Sequence, residues 1–486
     1  MSLKKNTAYN LFGAILPILL SLITVPIYLK TVGTERYGAL QISWLLLGYF
    51  GLFDLGLGRA TAFRIAAQKD DSREERAETF WSALVINSAI GMIGAIILAI
   101  AAHYFFAYYA KVDAKVLPEI LTGTPLIAAS LPIATLTGVL TGALQGREKF
   151  FAINVISVFS TALFQLFPLA IGLIWTIYLP WLLLAGLVAR LLSLVAMWIC
   201  CHRELLANAP LRISRKRCIE LLRYGGWVGL GSAFAPILVI TDRFAIGSLF
   251  GMTQVAIYSI PYNLASRLQI IPGALATALF PRLASAGPAE ADAISEQGFR
   301  AMASVITPPV LGALLFIGPF LELWVGHDIG KASASIGRII LTAYWINAFA
   351  VVSHIRLQTS GRPDVKTINS LIQIPIYLAM LYFGMMMFGL VGCALAFALL
   401  CLLDYAMQSW SVNRRFSGAK ILSMNFPILL AGHLVSTYWP VTTLWFWVGG
   451  VGLMLVSFYT SWMTLPNNIR NLVGRLPGLR SIFPQY

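Results

Sequence analysis

Charge is scarce in this sequence. Only 11% of its 486 residues are Asp, Glu, Lys or Arg, whereas 58% are hydrophobic. A soluble domain carries about 25% charged residues, so a water-facing globule of this size is excluded. Long polar stretches are scarce too. The polar segments near 201–223 and 281–300 are the longest between apolar runs, which leaves no extramembrane catalytic domain. Cysteine is rare and badly spaced for metal. Cys200, Cys201, Cys218, Cys393 and Cys401 form no CxxC or Cys/His pattern and are read as small apolar fillers. A phosphate-binding loop is absent: GLGRAT at 56–61 lacks the Gly-Lys-Ser/Thr ending. No A-x-A-like cleavage site follows the first apolar run, so that run is expected to be retained. No cofactor or metal is expected.

What is abundant is apolar sequence in runs of bilayer length. A helix needs about 20 such residues to cross the hydrocarbon. The runs fall near 8–30, 38–64, 80–103, 119–145, 151–173, 176–199, 224–248, 254–280, 301–321, 333–355, 367–387, 389–411, 421–438 and 442–464. The expectation is an all-α polytopic membrane protein with about 14 transmembrane helices. The turns inside the pairs 151–199, 367–411 and 421–464 are short.

Basic residues set the orientation. With the N-terminus in the cytoplasm, 25 of the 35 Lys and Arg fall in inner segments and five in outer ones. The remaining five, Arg59, Arg190, Arg243, Arg267 and Arg338, lie within runs. Both termini are therefore expected to be cytoplasmic. The same bias accounts for the net charge of +15 without any nucleic-acid partner. The basic segment 201–223 reads as topology signal rather than as a lipid-specific site.

The chain carries an internal likeness. A shift of 218 residues places Gly33 on Gly251, Arg64 on Arg282 and Ala66 on Ala284. Both stretches read as a long run, a Gly-containing outer turn, and a second run ending in Arg-(Ile/Leu)-Ala. This predicts paired bundles: residues 1–211 with six helices, 212–415 with six more, and 416–486 with two added helices and a basic cytoplasmic tail.

Charges inside the runs are candidates for function, because each costs about 2.5–3.5 kcal/mol at the bilayer centre. In LVITDRFAIGSLFG, Asp242 and Arg243 are adjacent. Helix neighbours point about 100° apart, so each is expected to find a different partner. Arg267, on the following run, should lie roughly 9 Å deeper than Arg243. Two staggered guanidiniums would make a ladder for an anion. Arg190 falls nearer mid-membrane, and Arg59 is near enough to the inner surface to snorkel. In FDLGLGRAT, Gly56 and Gly58 weaken the helix or let another backbone approach. Asp54, Asp242 and Asp404 are candidates for proton or sodium coupling. His354 and His433 read as bundle residues, and Glu322 and Arg338 lie close to the outer surface. The balance of sign favours an anion, and guanidinium pairs bidentately with phosphate oxygens.

Three stretches then resemble a known family. They are NTAYNLFGAILPILLSLITVPIYLKTVGTERYGAL (6–40), GLFDLGLGRATAFRIA (51–66) and TDRFAIGSLFGMTQVAIYSIPYNLASRLQIIPGALATALFPRLA (241–284). They are similar to the polysaccharide-transport and O-antigen flippase family of the multidrug/oligosaccharidyl-lipid/polysaccharide exporter superfamily. The resemblance implies two six-helix bundles facing each other, plus two C-terminal helices, in a bacterial inner membrane. It implies a substrate of oligosaccharide on a polyprenyl diphosphate, moved to the outer leaflet by alternating access. On this reading Arg267, Arg243, Arg190 and Arg59 would hold the diphosphate. The lipid tail would stay in the bilayer, and polymerase or ligase machinery would be a functional associate. A drug or cation antiporter of the same superfamily should want an acidic cavity. A membrane-embedded glycosyltransferase or polymerase should want larger loops.

Overall fold

A computed structural model of the chain describes residues 3–49, 56–68, 72–206, 210–412, 418–466 and 470. Side chains are described throughout these ranges except at 3–15, 47–49, 224–237, 239 and 363. The described residues form helices and no strands.

The chain divides into two compact units, Met1–Ala256 and Ile257–Tyr486. The first holds α1 (Leu3–Val32), α2 (Thr34–Tyr49), α3 (Leu57–Ala67), α4 (Arg73–Tyr104), α5 (Leu117–Gly146), α6 (Phe150–Ile174), α7 (Leu179–Cys201) and α8 (Arg215–Leu249). It also holds the start of α9 (Met252–Ser266). Within it α5 packs on α3, α4 and α7, while α6 packs on α7 and α1. Helix α8 runs against α3 and α4.

The second unit continues α9 through α10 (Ile270–Ser285), α11 (Pro288–Val325), α12 (His327–Thr359), α13 (Pro363–Val412), α14 (Gly418–Tyr438) and α15 (Leu444–Thr464). Helix α12 packs between α11 and α13, and α11 also carries α14 and α15. Among the described residues, nine helical stretches are long and apolar enough to cross a membrane. This is a multi-pass membrane protein.

Local chemistry sets the helix ends. Ser72 accepts from the amide of Glu75 at the start of α4, with Glu74 and Glu75 in its first turn. Gly33 and Gly251, equivalent under the 218-residue shift, precede α2 and α9 with φ of 81° and 93°. That left-handed backbone is cheap only for glycine.

Two expected runs are not single helices. Gly56 has φ 71° immediately before α3, so no helix passes through it within 38–64. In 254–280 a 3₁₀ turn, Arg267–Gln269, separates α9 from α10. The reason lies three residues on: Pro272 has no amide hydrogen for the carbonyl at 268, so the regular ladder fails there. The pair 367–387 and 389–411 lies within α13 as two helical arms, which break at Gly389 with φ 58° and ψ −135°. A straight helix would hold residues 38 apart about 57 Å from each other. Lys366 Nζ and Asp404 Oδ1 are 2.7 Å apart. The run therefore doubles back at Gly389 as a hairpin, and Gly384 and Gly392 meet backbone to backbone. The polar segment 281–300 is also helical, ending α10 and opening α11.

The glycines of GLGRAT allow close approach. A Cβ on Gly142 of α5 would collide with the Gly58 carbonyl. None of the five cysteines forms a disulfide.

Candidate functional site

Arg190 is the clearest candidate in the first unit. It sits near the middle of α7 and is half-buried. Its guanidinium carbon lies 4.5 Å from the centre of the Phe164 ring on α6. No acidic side chain pairs with it among the described residues, and its buried Nε has no hydrogen-bond partner. Sequence explains the stacking. Gly186 lies one turn before Arg190, and a Cβ there would stand 3.3 Å from the Phe164 ring. The missing side chain lets the ring lie on α7 beneath the guanidinium. A cation over an aromatic face gains about 0.5–2 kcal/mol, but the ring leaves the guanidinium hydrogens available to an anion.

An aromatic cluster continues from that ring. Trp44 of α2 lies 5.9 Å from Phe164 and 5.4 Å from Tyr28, centre to centre. Tyr37 lies 6.0 Å from Tyr28 and 6.3 Å from Trp44. Tyr28 and Tyr37 are buried, whereas Trp44 is half-buried. Nothing in composition or periodicity singled out Trp44 or Phe164. Their signal is spatial, since α2 and α6 are separated by more than 100 residues in sequence.

Asp242 and Arg243 pair with each other. Arg243 Nη1 donates to Asp242 Oδ1 at 2.7 Å and to Oδ2 at 2.9 Å, and the Arg243 amide donates to Oδ1 at 2.7 Å. Both are fully buried. The directions of adjacent Cβ atoms do differ by about 100°. Arginine is long enough to fold back over that angle, and burial without water rewards neutralisation strongly.

Asp404 is also engaged. Its carboxylate accepts from Lys366 Nζ at 2.7 Å, Gln373 Nε2 at 3.0 Å and Gln408 Nε2 at 2.7 Å. Lys366 and Gln373 stand on one arm of the α13 hairpin, and Asp404 and Gln408 on the other. Lys366, counted from sequence as an inner-segment cation, is the charge partner of this buried acid.

Arg267 lies in the 3₁₀ turn between α9 and α10, half-buried, and its side chain makes no hydrogen bond or ion pair among the described residues. Arg59 is exposed on α3 and likewise has no ion pair there. Asp54 lies outside the described residues. Among the described candidates, the structure brings Asp242 and Arg243 into contact. No group of His, Cys, Asp and Glu among the described residues has the makings of a metal site.

A second polar centre lies where α2, α5, α7 and α9 begin, and sequence reading passed over it. Arg36 Nε and Nη2 reach Glu119 Oε2 and Oε1 at 2.9 and 2.6 Å. Glu119 Oε2 also accepts from the Leu179 amide at 3.1 Å, at the start of α7. Glu35 accepts from Thr253 and from the Asp113 amide. Carboxylates at helix N-termini complement the helix dipole.

Described helices are long and apolar enough to cross a membrane, and one of them carries a guanidinium that no acidic side chain pairs among the described residues. Residues 3–286 match the family of polysaccharide biosynthesis proteins, and the chain belongs to that family. It is 28% identical to a candidate O-antigen transporter of Shigella flexneri over 421 residues, covering 86% of this chain and 99% of that one. Its fold is similar to the lipid II flippase MurJ in an inward closed conformation, with TM-score 0.71, 14% identity, and 96% and 99% of the two chains covered. It is also similar to an inward-facing multidrug-resistance MATE transporter of the MOP superfamily, with TM-score 0.69, 15% identity, and 85% and 99% covered. These similar proteins are transporters and a flippase, not enzymes.

Proposed function

We propose that the protein is a flippase for a polyprenyl-diphosphate-linked oligosaccharide, an O-antigen or related polysaccharide repeat unit. It carries this lipid from the inner to the outer leaflet of a bacterial inner membrane by alternating access. The observation that carries the reading is Arg190: a half-buried guanidinium in mid-helix, stacked on Phe164, with no acid to neutralise it among the described residues. An uncompensated cation in an apolar helix is costly unless an anion visits it. Diphosphate offers oxygens that a guanidinium can take bidentately. Family membership and the resemblance to an O-antigen transporter supply the saccharide.

Arg267, Arg243 and Arg59 belong to the proposed substrate path, and Asp54, Asp242 and Asp404 to proposed coupling with a proton or sodium gradient. Arg243 enters that path only by leaving its bond to Asp242. The proposed topology has 14 crossings, with α2–α3 and α9–α10 one crossing each and α13 two, and both termini cytoplasmic. The bundles are residues 1–211 and 212–415, with 416–486 adding two helices. Polysaccharide polymerase or ligase machinery is the proposed associate. A drug or cation antiporter is the second reading, favoured only by the MATE-like fold and opposed by the unpaired arginines. A glycosyltransferase or polymerase is opposed by the short polar segments.

Liposomes holding purified protein and a labelled lipid-linked oligosaccharide test the reading. Wild-type protein should relocate the lipid with its sugars intact. Arg190→Ala should slow flipping more than tenfold, and Arg190→Lys should keep part of it. Arg267→Ala should act like Arg190→Ala. Wild-type flipping by Arg190→Ala removes that residue from the site, and a changed sugar chain makes the protein an enzyme.

A further inference from the structure

The aromatic cluster beside Arg190 is not used by an anion alone. Phe164 faces the guanidinium, and Trp44 faces Phe164. By these two steps the guanidinium carbon and the indole centre are at most about 10 Å apart. That span suits one phosphorylated sugar ring. Trp44 is half-buried, so part of the indole is open to a neighbour, whereas Tyr28 and Tyr37 behind it are closed.

A third group points the same way. The side-chain Oε1 of Gln165 is buried and has no hydrogen-bond partner among the described residues. It is the residue after Phe164, and its backbone carbonyl accepts from the Tyr28 hydroxyl at 2.8 Å. Buried polar atoms are nearly always satisfied, and an exception asks for a missing partner. An amide oxygen asks for a donor. A sugar hydroxyl is one, and a bare diphosphate is not.

We propose that Trp44, with Gln165, forms a saccharide subsite in the first unit, adjoining the diphosphate site at Arg190. The first sugar of the lipid-linked chain lays its C–H face on the indole and donates a hydroxyl to Gln165 Oε1. Ligand sites commonly combine aromatic walls with a few placed polar groups in this way. The proposal rests on the diphosphate reading of Arg190 and adds to it: Arg190 holds what all such lipids share, and Trp44 senses whether a sugar is attached.

The test is a binding comparison on purified protein in nanodiscs. The probes are geranylgeranyl diphosphate and the same lipid bearing one N-acetylglucosamine on its diphosphate. Trp44→Leu keeps apolar bulk but removes the ring. It should weaken the glycosylated probe about tenfold and leave the bare diphosphate within about twofold. Trp44→Phe should retain most of the preference for the sugar. Gln165→Leu should reduce that preference without changing the bare probe. Arg190→Ala should weaken both probes equally. Equal loss of both probes in Trp44→Leu, or no loss of either, overturns the subsite and leaves the cluster as packing. Unchanged binding of both probes by Arg190→Ala overturns the diphosphate reading instead, so the two failures are separable.

Discussion

Glu35 and Thr253 are 218 positions apart, and they touch. The Glu35 carboxylate accepts from the Thr253 hydroxyl at 2.6 Å and from its amide at 3.0 Å. The same 218 residues separate Gly33 from Gly251, the left-handed glycines before α2 and α9. Glu35 also holds the Asp113 amide at 3.1 Å, and the Lys111 amide donates to the Gly247 carbonyl at 2.9 Å. Three remote segments are tied by one side chain and its neighbourhood.

Removing that side chain should loosen all three segments. In Glu35→Ala, hydrogen exchange at the amides of Thr253 and Asp113 should speed up at least tenfold. Glu35→Gln, which keeps one acceptor oxygen, should fall between. Exchange indistinguishable from wild type would show that the contact holds nothing.

The Asp242–Arg243 pair makes a prediction about signs. Asp242→Asn leaves a buried guanidinium without its carboxylate, which costs about 3–5 kcal/mol. Detergent-solubilised protein should melt well below wild type. Asp242→Leu with Arg243→Met removes both charges and should recover most of the loss. If the double variant is as unstable as the single one, the two charges have separate structural duties.

The α13 hairpin depends on Asp404 and Gly389. Asp404→Asn turns a carboxylate that takes three donors into an amide that cannot accept at both ends. The expected loss is about 1.5–3 kcal/mol, the range for hydrogen bonds to a charged group. Gly389→Ala should cost about 1–2 kcal/mol, because φ 58° is unfavourable for a residue with a Cβ. Thermal unfolding reads both, and a neutral Gly389→Ala would argue against the doubled-back helix.

Two glycines should respond in opposite directions. Gly142→Ala must push α5 away from the Gly58 carbonyl, at a cost of about 1–3 kcal/mol. Gly273 of α10 has nothing within 4 Å of where a Cβ would stand. Gly273→Ala should stabilise by about 0.5–1 kcal/mol through helix propensity. The same melting assay checks the pair, and similar shifts for both would mean packing is not what separates them.

Particular residues show how much was legible beforehand. The glycines of GLGRAT were read as weak points or close-approach points, and Gly56 and Gly58 are one of each. The runs 119–145 and 151–173 lie within α5 and α6, extended by one or two residues at each end. The unbroken run at 254–280 failed because hydropathy does not register a missing amide hydrogen at Pro272. The Asp242–Arg243 bond was not legible because the directions of adjacent Cβ atoms say nothing of the length of arginine. Trp44 beside Phe164 had no sequence signal at all.

Sequence by itself determined that the chain is helical, apolar in bilayer-length runs and biased in its basic residues. Those properties are local or additive: each residue contributes its own transfer energy and each glycine its own backbone freedom. Only the tertiary structure decided which charges meet. It paired Arg243 with its neighbour, Lys366 with Asp404 across a hairpin, and Glu35 with Thr253, and among the described residues it left Arg190 on an aromatic ring without an acid. A charge chooses its partner by distance in a medium that screens poorly, and that distance is set by how remote helices pack.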